Sequence, residues 1–130
     1  MKKVMKEWTL FRVDTQWENQ RGANIPEALK NQMKDYNGFG YYARNVRLKP
    51  QWKGKRVVLV FGAVDESAWV YVNGKFAGKR IYAKADDWKT PFAIEITDCV
   101  KGTGNQSVFV RVQDTSGAGG MWRPVMVAVK

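Results

Sequence analysis

The chain has 130 residues, 45% of them hydrophobic, with 22 Lys+Arg against 12 Asp+Glu for a net charge of +10. That length suits one domain, residues 1–130, able to bury about two-thirds of its unfolded surface, and the apolar content excludes a disordered chain. No apolar run approaches the roughly 18–20 residues needed to span a bilayer, histidine is absent, and the one cysteine cannot form an intrachain disulfide.

Met1-Lys2-Lys3 lacks the apolar stretch of a signal peptide, which leaves either cytoplasmic synthesis or a leader preceding this sequence. A first strand is predicted over Glu7–Val13. Thr15-Gln16-Trp17-Glu18-Asn19 is polar and leaves Trp17 open between loop and core. Ile25–Met33 is the one helical segment: Pro26 fits the first turn after Asn24, and Ile25, Leu29 and Met33 fall four apart. Strands are then predicted at Gly40–Leu48, Arg56–Val64, Ala68–Val72, Lys75–Ile81, Phe92–Ile96, Ser107–Val112 and Pro124–Val129.

Within these elements the pattern is specific. Only one of Tyr41 and Tyr42 can face the core. Val57-Val58-Leu59-Val60-Phe61 is apolar throughout and suits a strand covered on both faces. Asn73-Gly74 between Val72 and Lys75 predicts a type I′ hairpin, because that turn needs φ > 0 at both central residues. Phe92–Ile96 and Val108–Val112 alternate with period two, which puts one face on a core. Lys53-Gly54-Lys55 and Lys101-Gly102-Thr103-Gly104-Asn105 supply bends. Asp98 suits the cap of a single helical turn over Cys99-Val100-Lys101, and Cys99 reads as a small buried apolar residue. Trp8, Trp52 and Trp69 read as structural. Many short strands without a βαβ rhythm predict an antiparallel sandwich or jelly roll.

The basic residues, Lys2-Lys3, Lys53, Lys55-Arg56, Lys75 and Lys79-Arg80, are scattered and read as solvated strand faces. Nucleic acid is disfavoured as a partner, since no long basic block or RNA-binding signature is present. Without histidine, Ser-His-Asp and Cys-His systems are excluded. Asp86-Asp87 and Asp65-Glu66 are sequence neighbours, not a pair facing each other across the separation that glycoside hydrolysis requires. Calcium is the one cofactor considered, with Asp14, Asp65, Asp98 and Asp114 as oxygen donors, but no ligand set stands out and none is named.

Read in order, several pieces carry a family resemblance. They are Tyr36-Asn37-Gly38-Phe39-Gly40-Tyr41-Tyr42-Ala43-Arg44, Trp52-Lys53-Gly54-Lys55-Arg56-Val57, and the Val64–Gly78 hairpin. Thr90-Pro91-Phe92-Ala93-Ile94-Glu95-Ile96-Thr97-Asp98, Gly104-Asn105 and Gly119-Gly120-Met121-Trp122-Arg123-Pro124-Val125 follow. Together, from about Trp8 to Val129, they resemble the N-terminal sugar-binding domain of glycoside hydrolase family 2 enzymes, the β-galactosidase, β-glucuronidase and β-mannosidase group. The resemblance implies an all-β, antiparallel, galactose-binding-like jelly-roll sandwich that is itself non-catalytic, here with the one short helix near the N-terminus. In that group the catalytic carboxylates lie in a separate barrel, and this sequence ends where an immunoglobulin-like domain would begin. An excised module or a free-standing relative is therefore expected, with a bacterial periplasmic or extracellular parent.

A sugar offers C–H patches that pack on flat aromatic rings and hydroxyls that need paired donors and acceptors. Tyr82-Ala83-Lys84-Ala85-Asp86-Asp87-Trp88-Lys89-Thr90 supplies both, with Trp88 as platform and Asp86 or Asp87 as hydroxyl acceptor. The competing role for Trp88 is to cover a sheet edge. A second candidate joins Tyr36, Asn37 and Gly38 with Asp114–Trp122 and Arg123, places where the resembling β-galactosidases reach toward substrate. Here the chain departs from them: Gly119-Gly120 stands where they carry an acidic residue. Arg123-Pro124 also suits strand entry and domain packing. The leading expectation is a carbohydrate-binding domain whose partners are oligo- or polysaccharide and the catalytic domains of a parent glycosidase, with no membrane partner. The alternatives are a purely structural accessory domain, or a basic module for anionic polysaccharide or another polyanion.

Overall fold

Strand periodicity dominates the part of the chain that the computed structural model describes, residues 37–130. The predicted strand Glu7–Val13, the predicted helix Ile25–Met33 and Tyr36 lie outside the described residues. The strands are β1 (Gly38–Leu48), β2 (Val57–Asp65), β3 (Ser67–Val72), β4 (Lys75–Arg80), β5 (Phe92–Glu95), β6 (Gly104–Asp114) and β7 (Gly120–Val129). They form two antiparallel sheets in the orders β1-β6-β3-β4 and β5-β2-β7. This is the all-β sandwich that the sequence predicts.

The core lies between the sheets. Leu59, Phe61 and Val64 of β2 meet a cluster with Val70 and Val72 of β3 and Val110 and Val112 of β6, all buried. Phe61 stacks on Phe92 at 4.9 Å between ring centroids. Burying each such side chain contributes about 1.5–3 kcal/mol. Tyr42 packs against this core and Tyr41 on the same strand is exposed, as the pleat demands. Cys99 is buried, as expected.

The hairpin between β3 and β4 turns on Asn73 (φ 52) and Gly74 (φ 80), both in the left-handed region of a type I′ turn. Asn73 also ties the turn to its neighbours. Its Nδ2 donates to Cys99 O at 3.0 Å and Gln106 Oε1 at 2.7 Å, and its Oδ1 accepts from Ser107 N at 3.0 Å.

Three expectations are corrected. Val57–Phe61 is fully covered on its inner side only; Val58 and Val60 point outward and are half-buried. Around Asp98 the helical turn is a 3-10 turn over Thr97–Cys99 with no side-chain cap. The turn is closed by Cys99 N, which donates to Ile96 O at 2.8 Å, and Thr97 Oγ1 ties it to β2 by accepting from Val57 N at 3.0 Å. Finally, β6 and β7 are longer than their apolar runs. Unbroken pairing of β1 with β6, from Gly38 opposite Asp114 to Leu48 opposite Gly104, recruits the polar ends Gly104-Asn105-Gln106 and Gln113-Asp114. Gln106 is fully buried there, accepting from Lys101 N at 2.8 Å. Among the described residues no helix is long and apolar enough to cross a membrane.

Candidate functional site

One end of the sandwich gathers the candidate residues. β2, β4 and β6 finish there and β1, β3 and β7 begin there, since Gly38 pairs with Asp114, Ala68 with Arg80 and Asp65 with Gly120. Two connections form the rim at this end, residues 81–91 between β4 and β5 and residues 115–119 between β6 and β7.

The 81–91 connection is folded by its own polar groups around a 3-10 turn, Asp87–Lys89. Asp87 Oδ2 accepts from Ala83 N at 2.8 Å and Lys84 N at 2.9 Å. These two backbone donors, the Lys84 one foremost, hold its carboxyl below the usual carboxylate range. Thr90 Oγ1 donates to Asp86 O at 2.7 Å, and Tyr82 Oη donates to Ala85 O at 3.2 Å. Arg80 anchors the loop from below. Its guanidinium donates to Asp87 O at 2.7 Å and to Val64 O and Glu66 O at 2.6 Å each, and lies over the Phe92 ring at 4.7 Å. Burial pulls its pKa below the ordinary guanidinium value. Arg80 therefore departs from the expected solvated position: its side chain is 14% exposed.

The 115–119 connection rests on a buried acid. Glu66 Oε1 accepts from Thr115 N at 2.9 Å and Ser116 N at 3.1 Å, and Thr115 Oγ1 donates to Glu66 Oε2 at 2.8 Å. Ser116 N also donates to buried Asp114 Oδ1 at 3.2 Å. Neither Glu66 nor Arg80 is among the sequence candidates. The available signal for Glu66 was a carboxylate inside the apolar run Gly62–Val72; Arg80 gave none, because a basic residue ending a strand reads as solvated.

The two candidate segments meet directly. Trp88 and Trp122 stack at 5.7 Å between centroids with 27° between planes, and Trp122 Nε1 donates to Trp88 O at 2.7 Å. Arg123 joins them: its guanidinium lies 4.2 Å from the Trp122 ring centroid, and Nη1 donates to Lys89 O at 3.3 Å. Gly62 allows this approach, since a Cβ there would meet Arg123 Cβ at 2.7 Å and Pro124 O at 2.9 Å. Trp88 remains 37% exposed and Tyr82 36% exposed. Of the two acidic candidates, Asp87 is engaged by its own loop. Asp86 is exposed, with Lys89 Nζ 3.6 Å from Oδ1. Asn37 is exposed at the start of β1, at the sheet end where residue 115 begins the second connection. Of the calcium candidates Asp14 lies outside the described residues, and among the described residues no three His, Cys, Asp or Glu side chains come together.

Chemically, the rim offers a paired indole surface bordered by one exposed carboxylate and two cations. Glu66 and Asp114 are buried beneath a loop and face no open surface.

Residues 5–127 match the family described as glycosyl hydrolases family 2, sugar binding domain. A β-glucuronidase of Bacteroides fragilis is 34% identical over 91 residues, 70% of this chain and 12% of that protein. A β-galactosidase of Thermoanaerobacter pseudethanolicus is 29% identical over 109 residues, 79% of this chain and 14% of that protein. The crystal structure of Bacteroides uniformis β-glucuronidase shares the fold with a TM-score of 0.72 at 22% identity, covering 95% of this chain and 15% of that one. The chain thus spans about one-seventh of the length of these relatives.

Proposed function

The chain belongs to the sugar-binding domain family of the family 2 glycosyl hydrolases, and from that membership we propose a non-catalytic carbohydrate-binding domain that contacts glycan at the Trp88–Trp122 rim. The reading takes residues 1–130 as one domain and places hydrolysis in other parts of a parent glycosidase.

The observation that carries it is the stacked indole pair with its polar border. A pyranose lays its C–H face on Trp88. Asp86 accepts from ring hydroxyls, while Lys89 and Arg123 donate. Trp122 is a positioning residue, because its ring backs Trp88 and its N–H is spent on the Trp88 carbonyl. Tyr82 and Asn37 border the same rim as further hydroxyl partners, and Asp87 holds the loop in shape. So shallow a surface supports binding of about 4–8 kcal/mol, in the micromolar to millimolar range.

The test is calorimetry with oligosaccharides on the native chain and on Trp88→Ala. Binding that disappears in the variant while the circular dichroism spectrum is unchanged is the expected result. Binding unaffected by the substitution rejects the assignment.

A second reading, a domain that braces its parent, is favoured by one surface. The outer side of β5-β2-β7 carries Met126, 60% exposed, with exposed Ala93 and Ala128 and half-buried Val58 and Val60. A negative glycan screen supports that role instead.

A further inference from the structure

The outer face of the β1-β6-β3-β4 sheet is paved with aromatic rings that none of the core or rim contacts use. Tyr41, Arg111, Trp69 and Lys79 lie in one cross-strand row, and Ala43, Phe109, Tyr71 and Phe76 lie in the next. The rings touch one another: Tyr41 and Phe109 at 5.7 Å, Phe109 and Tyr71 at 6.1 Å, Tyr71 and Phe76 at 5.4 Å. Tyr41 is 54% exposed and Phe76 52%. Contiguous exposed aromatic area of this kind marks an interaction surface.

Charge on the face has one sign. Arg111 holds its guanidinium 4.4 Å from the Trp69 centroid and 5.1 Å from the Phe39 centroid. Lys79 is exposed beside Trp69, and Arg47 is exposed on the same alternate side of β1 as Tyr41. Among the described residues these four strands contribute one carboxylate, Asp114, which is buried on the opposite side.

We propose that this sheet face binds a uronate-bearing polysaccharide chain laid across the strands, at a site separate from the rim. Sugar rings present C–H patches to Tyr41, Phe109, Tyr71 and Phe76, and their carboxylates pair with Arg111 and Lys79. The guanidinium is suited to that role because it lies against the Trp69 and Phe39 rings, which fix it on this face as a cation. A nucleic-acid strand fits less well. Adjacent rings lean on one another at 31° to 66°, which gives successive bases no parallel platforms. Three cations across four strands also make a sparse match for a phosphate row. The proposal does not depend on the rim reading.

Calorimetry on the full 130-residue chain with polygalacturonate, its fully methyl-esterified form and polyuridylate tests it. Expected are binding to polygalacturonate that weakens with added salt, and about tenfold weaker binding to the ester, which keeps the rings and loses the charge. The double variant Tyr41→Ala/Phe76→Ala, at two half-exposed positions, should lose about tenfold or more with its melting curve intact, and Lys79→Gln should flatten the salt dependence. Equal affinity for the ester, tighter binding of polyuridylate, or no binding at all overturns the proposal. So does polygalacturonate binding that Trp88→Ala abolishes and the Tyr41/Phe76 variant leaves alone, a result that moves recognition to the rim and leaves the rim reading standing.

Discussion

Burial alone would push the Glu66 carboxyl up, but hydrogen bonds from Thr115 and Ser116 and one with Asp114 together outweigh it and hold the group below 4.5. A folded-state pKa lowered in this way contributes stability that is complete well above the unfolded value. That stability is lost as pH falls through the folded one. Stability should therefore decline between about pH 5 and pH 3. Glu66→Gln should cost about 1–3 kcal/mol at pH 7, because an amide cannot accept from Thr115 N, Ser116 N and Thr115 Oγ1 together. It should also give a shallower acid decline. Urea unfolding at pH 7 and at about pH 4 checks both parts. Some decline should survive in the variant, because Asp87 and Glu95 are also lowered, Asp87 by the Lys84 and Ala83 amides and Glu95 by Arg56. Such roles are hard to see in a sequence. Glu66 looks like a turn residue until the chain brings Thr115, 49 positions away, onto its carboxylate.

At the scale of elements, the rim loop has no apolar core of its own and depends on Arg80. That side chain ties the loop at Asp87 to the β2–β3 corner at Val64 and Glu66. Arg80→Gln should remove the guanidinium donor shared by three carbonyls, those of Asp87, Val64 and Glu66, cost about 1–3 kcal/mol, and speed amide exchange across residues 82–90 while β2 and β6 stay protected. Exchange monitored by mass spectrometry distinguishes this from global unfolding; uniform acceleration in every strand would contradict the anchoring role. The strands themselves were legible. Each of the seven has a counterpart in the apolar pattern, because alternation and turn residues act within a few positions. Their ends were less so: β7 begins at Gly120, not at Pro124, since pairing with β2 continues past a register shift at Ala63/Val64. Pro124 is tolerated on this strand, which pairs with β2 on one side.

For the molecule as a whole, the two sheets are joined through one hydrophobic cluster. Phe61 is fully buried within it and stacked on Phe92. Phe61→Ala should destabilise the protein by about 3–5 kcal/mol through lost transfer energy and a cavity. It should do so in a single transition, because neither sheet keeps its apolar face covered without the other. Coincident fluorescence and circular dichroism curves in guanidinium would bear this out, and two separated transitions would refute it. What the amino-acid order determined alone is local: β-forming runs, the Asn73-Gly74 reversal, the absence of nucleophile chemistry that needs histidine, and the ordered pieces that carry the family resemblance. The folded chain alone decided that Trp88 meets Trp122, that Arg80 and Glu66 brace the rim, and that six aromatic rings share one sheet face with Arg111. Those contacts join residues tens of positions apart. They are set by strand register and by which sheet each strand enters, and no short window of sequence contains either.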